Sequence, residues 1–203
     1  MYDFNFKPII LIIYKNQRVL NLYLCSYLEM EEVKKINWHM IPPRKTLKVQ
    51  KLKDGEVPEI VAPRPLTPAE QGFQLEDYVH KESLNLPGLT HSFRENDIKK
   101  YFSDTSLNGI DHWIQVGNTH IFIQDKWKIS LNQREVAQYL NCVSRIQTRL
   151  EESANVHLVW VSKCAPTSNS LKMLLERKTH IIIADTSTEE LANICVQKIL
   201  EIL

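Results

Sequence analysis

Residues 109–128 read GIDHWIQVGNTHIFIQDKWK: two short apolar runs joined by Gly117-Asn118. Glycine and asparagine tolerate the positive φ that tight hairpin turns demand. The run Trp113 to Val116 is therefore predicted to fold back, antiparallel, on Thr119 to Lys128. Side chains two apart on a strand share a face, so Gln124 and Lys126 point the same way. The hairpin also carries Asp111, at the head of the first strand, back beside them. One carboxylate, one amide oxygen and one ammonium then converge at a sheet edge.

Moving outward toward the C-terminus, Asn132 or Ser130 can cap a long helix from about Gln133 to Glu151. Val136, Leu140, Val143 and Leu150, with Tyr139 and Ile146, line one face of it at helical spacing. A buried strand over Val156 to Val161, a short helix over Ser168 to Glu176, a strand over His180 to Ala184 and a closing helix over Thr188 to Leu203 follow. Toward the N-terminus, Thr67-Pro68-Ala69-Glu70 is a helix start: threonine as cap, proline at the first helical position, glutamate three after the cap. Phe73, Leu75, Val79 and Leu84 supply its apolar positions, and Leu86-Pro87-Gly88 stops it. A second amphipathic helix is expected near Glu95 to Tyr101. This alternation predicts an α/β fold over 68–203, a mixed central β-sheet flanked by helices on both faces. Many functions use such sheets, so the order of elements alone assigns none.

Ahead of that domain, residues 41–67 form a proline-rich, basic segment with Pro42, Pro43, Pro58, Pro63 and Pro65 among Arg44, Lys45, Lys48, Lys51 and Lys53. Proline removes backbone donors and holds the chain extended, so a linker or surface arm is expected. The lysines are either solvated or, on an arm, available to nucleic-acid phosphates. Residues 1–40 are expected to be an N-terminal extension, with Met30 or Met40 as alternative starts. Its apolar runs, Ile9 to Tyr14 and Val19 to Leu28, are split by Lys15 to Arg18. Neither reaches the roughly 18–20 residues of a membrane span, and no signal-peptide pattern is evident. Hydrophobic content of 43% and charged content of 24% are those of a soluble globular protein. The net charge of +1 excludes a global basic field. Cys25, Cys142, Cys164 and Cys195 form no CxxC pair, so free thiols in an intracellular compartment, cytoplasmic or nucleus-associated, are expected.

Phosphodiester hydrolysis needs the set that the hairpin assembles. A divalent cation on oxygen ligands polarises the phosphate and acidifies water, and a lysine can stabilise the pentavalent phosphate or orient the attacking water. A helix-borne glutamate, then Gly109-Ile110-Asp111, then Gln124-Asp125-Lys126 on a strand, then a long helix, resembles the PD-(D/E)xK nucleases. The Gln-x-Lys form is similar to the Mrr-type restriction endonucleases. The likeness covers about Pro68 to Leu203. It implies a restriction endonuclease-like domain in which Glu76 stands for the first-helix glutamate, Asp111 binds metal, Gln124 replaces the second carboxylate and Lys126 is the catalytic lysine. Mg²⁺ or Mn²⁺ is the implied cofactor, and DNA the implied partner, met by Lys128 and by Lys45 and Lys48 on the arm. A homodimer would suit a relative that cuts both strands, such as a junction resolvase. A catalytically inactive module binding nucleic acid or protein is the alternative from another class.

Asp125 departs from the family pattern, because that position is usually apolar and faces the helix-covered side. A charge there needs a partner, for which Arg134 and Lys128 are candidates. Otherwise the strand is shifted by one residue and Asp125 itself becomes the inward metal ligand. His112, His120, Trp113 and Trp127 are expected to be structural, with base stacking a lesser role for Trp127. Ser162, Thr167, Ser168 and Ser170 are expected to cap a helix start rather than contact phosphate. Asp104 is a less well placed acid than Asp111.

Overall fold

Gly117 turns the hairpin with φ +55°, the left-handed conformation that the turn requires. Around it, His112 to Val116 pair antiparallel with Thr119 to Ile123, His112 opposite Ile123 and Val116 opposite Thr119. The structure, a computed structural model, describes residues 10–14, 64–128 and 131–203. It contains strands β1 (Ile10–Tyr14), β2 (Leu89–Arg94), β3 (His112–Val116), β4 (Thr119–Lys126), β5 (Asn155–Ser162) and β6 (His180–Asp185). Helices are α1 (Pro68–Ser83), α2 (Glu95–Tyr101), α3 (Gln133–Gln147), α4 (Ser168–Glu176) and α5 (Thr188–Ile202). The strands form one mixed sheet in the order β1-β6-β5-β4-β3-β2. β4, β5, β6 and β1 run parallel, while β3 and β2 are antiparallel neighbours. β1 draws one strand from ahead of the proline-rich segment.

Alternation along each strand sends side chains into two cores. Ile114, Ile121, Ile123, Val159, Val161 and Ile182 pack with Leu75 and Val79 of α1 and Leu191, Cys195 and Ile199 of α5. Trp113, Phe122, Leu158, Trp160, Ile181 and Ile183 face the other way, toward Val136, Tyr139, Val143 and Ile146 of α3, Leu174 of α4 and Ile98 of α2. Each fully buried side chain of this kind contributes about 1.5–3 kcal/mol over its exposed state. The α/β architecture with helices on both faces is the one the sequence pattern predicts.

Capping works as the sequence indicates. The Thr67 hydroxyl accepts from Glu70 N–H (3.3 Å), and the Glu70 carboxylate accepts from Thr67 N–H (2.8 Å). Asn132 and Glu135 form the same reciprocal box at the start of α3. Two expectations fail. Phe73 and Leu84 are 67% and 54% exposed, because α1 turns Leu75, Val79 and Ser83 to the sheet and those two positions lie off that stripe. β2 was not expected, since its sequence LTHSFR has no clean apolar alternation. As the edge strand next to β3, it is selected by ladder pairing rather than by two-sided burial. Three cysteines, Cys142, Cys164 and Cys195, are free thiols, Cys164 only half-buried. Among the described residues no helix is long and apolar enough to cross a membrane. Lys45 and Lys48, and most of the proline-rich segment, lie outside the described residues.

Candidate active site

Asp111 is positioned from two sides. Gly109 precedes it with φ +99°, and a Cβ there would come within 3.2 Å of Gln138 Cγ and 3.4 Å of the Tyr139 amide nitrogen. Only glycine fits this approach to α3, which sets the entry to β3. The Asp111 N–H then donates to the Ile123 carbonyl (2.9 Å), so the residue joins the ladder beside the end of β4.

Its carboxylate gathers the residues the sequence singled out. Asp111 Oδ2 accepts from the backbone N–H of Asp125 (2.7 Å) and from Gln124 Nε2, and Lys126 Nζ lies 3.5 Å away. All three contacts use Oδ2, which leaves Oδ1 for a further ligand. Gln124 is buried, while the side chains of Asp111 and Lys126 keep 11% and 20% of their exposure. The cluster therefore opens to solvent through its charged members. It sits at the C-terminal end of β4, where the sheet passes from antiparallel to parallel pairing.

Asp125 points the other way. Its Oδ2 lies 2.8 Å from His112 Nε2, both side chains 1% exposed, on the face covered by α1 and α5. The expected partners are replaced: Lys128 pairs with Glu135 instead, and Arg134 lines a separate cleft. Strand geometry gives the reason. His112 is opposite Ile123, and the same-face diagonal neighbour of a residue lies two positions along the partner strand, at 125. Of the two registers the sequence left open, the structure has Gln124 and Lys126 facing Asp111. Asp125 Oδ1 is buried without a hydrogen-bond partner among the described residues.

Glu76 comes to this end of the sheet on α1, half-buried. Its pKa is pushed up to about 7, first by burial, then by the Asp111 and Asp125 carboxylates; His112 and Lys126 offset this in part. Burial also raises the Asp111 carboxyl, against the pull of the Lys126 ammonium. Burial is thus the first cause that holds both acids above their ordinary range, with neighbouring carboxylates adding to it.

The other candidates have structural roles. The indole of Trp113 donates to His120 Nδ1 (3.2 Å), and that of Trp127 to Gln71 Oε1 (2.8 Å). The Thr167 hydroxyl caps α4 by accepting from Ser170 N–H (3.4 Å), and the Ser162 hydroxyl donates to the Cys164 carbonyl (2.8 Å). Asp104 is tied to Arg145 (2.7 Å) and Arg149 (2.6 Å), away from the cluster, and the Ser106 hydroxyl that donates to it (2.6 Å), with Arg149 next, holds its carboxyl well below the usual range. His112 is structural, as expected, and the unexpected part is its pairing with Asp125. Counting the hairpin register out from Gly117-Asn118 would have found it.

No family model matches the chain, and no curated protein does.

Among the described residues no three His, Cys, Asp or Glu side chains are gathered to hold a metal ion by themselves. A cation here would rest on Asp111, Glu76 and, after a half-turn of its amide, the Gln124 oxygen. The donor set is hard and oxygen-only, which suits Mg²⁺ or Mn²⁺. By donor chemistry the residues present fit the group, with Asp111 and Glu76 as the carboxyls whose ionised forms such an ion would favour.

Proposed function

We propose that the chain is a divalent-metal-dependent endonuclease that hydrolyses DNA phosphodiester bonds, in the manner of the PD-(D/E)xK nucleases it resembles. The convergence of Asp111, Gln124 and Lys126 on one side of β4 carries this proposal. Asp111 and Glu76 would hold the ion, with the Gln124 oxygen as a neutral third donor. When bound, Mg²⁺ or Mn²⁺ would polarise the phosphate and acidify a water at neutral pH. Lys126, with its ammonium already beside the Asp111 carboxylate, would orient the attacking water or balance charge on the pentavalent phosphate. Asp125 contributes its backbone N–H to Asp111 and its side chain to the core.

A non-catalytic nuclease-like module is the competing reading, favoured by the neutral Gln124 and by the lack of three charged or imidazole ligands. Incubation of the full chain with supercoiled plasmid and linear DNA separates the two. Cleavage with Mg²⁺ or Mn²⁺ that stops with chelator supports the enzyme. DNA left intact under all of these conditions supports the module.

A further inference from the structure

Next to Lys126, a cleft of about 510 Å³ opens between the start of α1 and the C-terminal ends of β4, β5 and β6. Pro68, Trp127 and Ile183 are the apolar part of its lining, the last two nearly buried, and Lys128, Lys163 and Asp185 are the charged part. It belongs to the same end of the sheet as the candidate site: Lys126 is in register with Ser162, and the Lys163 N–H donates to the Lys126 carbonyl (3.2 Å). Gln71 fixes the Trp127 ring through its indole N–H. The Lys163 ammonium lies 4.9 Å above that ring and 3.6 Å from Asp185.

We propose that this cleft binds one nucleotide of the cleaved strand, flanking the scissile phosphate, with Lys163 as its principal phosphate contact. The inference rests on the nuclease reading for which strand is held, but not for the binding itself. A base and sugar need an apolar surface and the adjoining phosphate needs a cation; the lining carries both, with Lys163 and Trp127 side by side. The volume is in the range of roughly 300–1,000 Å³ that holds small organic groups. Lys163 is 40% exposed and Asp185 is 61% exposed. A surface pair of this kind is weak and readily exchanged for phosphate. Lys128, 56% exposed and paired to Glu135, adds a second cation along the same path.

The test is fluorescence anisotropy of a fluorescein-labelled DNA duplex with the full chain in EDTA, where cleavage cannot intervene. Lys163→Glu should weaken binding by roughly tenfold and lower the slope of log affinity against log salt by about one ion. Lys163→Arg should bind as the wild type does. Lys178→Glu, ahead of β6 at the opposite end of the sheet, should leave affinity unchanged. The subsite is overturned if the wild type does not bind, or if Lys163→Glu binds equally well. Lys163-dependent binding by a protein that never cuts DNA would keep the subsite and remove the nuclease. Cleavage with unaltered binding by Lys163→Glu would do the reverse.

Discussion

At the end of β4, the two faces of the sheet carry charge in opposite ways. On the α3 side, Gln124 and Lys126 meet Asp111 in a cluster that stays open to water. On the α1 and α5 side, Asp125 is sealed against His112 among isoleucines and valines. The residues alternate along three consecutive positions, so nothing but strand pleat separates the reactive group from the structural one. A buried pair holds when its geometry is good, and it penalises any register that would break it. Labour is thus divided along the strand: Asp125 and His112 lock it, and the lock presents Gln124 and Lys126 to Asp111.

The largest expected effect lies on the open side. Asp111→Asn should abolish metal-dependent cleavage while circular dichroism stays that of the wild type. Asparagine keeps the shape and the acceptor for the Asp125 N–H, yet removes a carboxylate that burial disfavours. Its melting temperature should therefore be equal to or above the wild-type value, since charge held for function often costs stability. A folded Asp111→Asn protein that cuts DNA normally would remove the proposed site.

On the closed side the loss should be of stability. Asp125→Ala leaves His112 unpartnered in the core and should cost about 1–3 kcal/mol in urea unfolding, the range for a buried polar group that loses its hydrogen-bond partner. A cost below about 1 kcal/mol, typical of surface bridges, would show that the pair does not lock the strand.

Smaller, and between the two faces, is the effect of Glu76. Its folded-state pKa of about 7 lies above the ordinary 4.5. The folded protein therefore holds a proton that the unfolded chain releases, and stability present at low pH is lost as pH rises through about 7. In chelator the melting temperature should fall between about pH 4.5 and pH 7 and level off above that, and Glu76→Gln should flatten the decline. Added Mg²⁺ should raise the melting temperature more at pH 8 than at pH 6, because it binds the ionised carboxylates. A metal effect independent of pH would take Glu76 out of the ion's surroundings.

Much of this arrangement is legible in the residues. Gly117-Asn118 sets the hairpin, and the hairpin alone brings Asp111 to Gln124. Thr67-Pro68 and Asn132 mark helix starts through local hydrogen bonds, which depend on few distant neighbours. β2 was not legible, because an edge strand is chosen by the ladder it joins rather than by its own alternation. The cations nearest Asp125 in sequence, Lys128 and Arg134, are not its partners. The relevant neighbour lies across the hairpin and is a histidine. Phe73 fits the apolar spacing of α1 and still lies in solvent, because helical spacing does not say where the buried stripe is centred. The cleft at Trp127 and Lys163 depends on two strand ends meeting in space, which no local pattern reports.

The division of labour is tested most directly by titrating Mg²⁺ into cleavage assays of Gln124→Glu and Asp125→Asn. A carboxylate binds Mg²⁺ more strongly than an amide oxygen does. Gln124→Glu should lower the Mg²⁺ concentration for half-maximal cleavage. Asp125→Asn should leave that concentration unchanged and lower only the melting temperature. The opposite pattern, an unaltered requirement for Gln124→Glu and a raised one for Asp125→Asn, would put Asp125 at the metal and contradict the account.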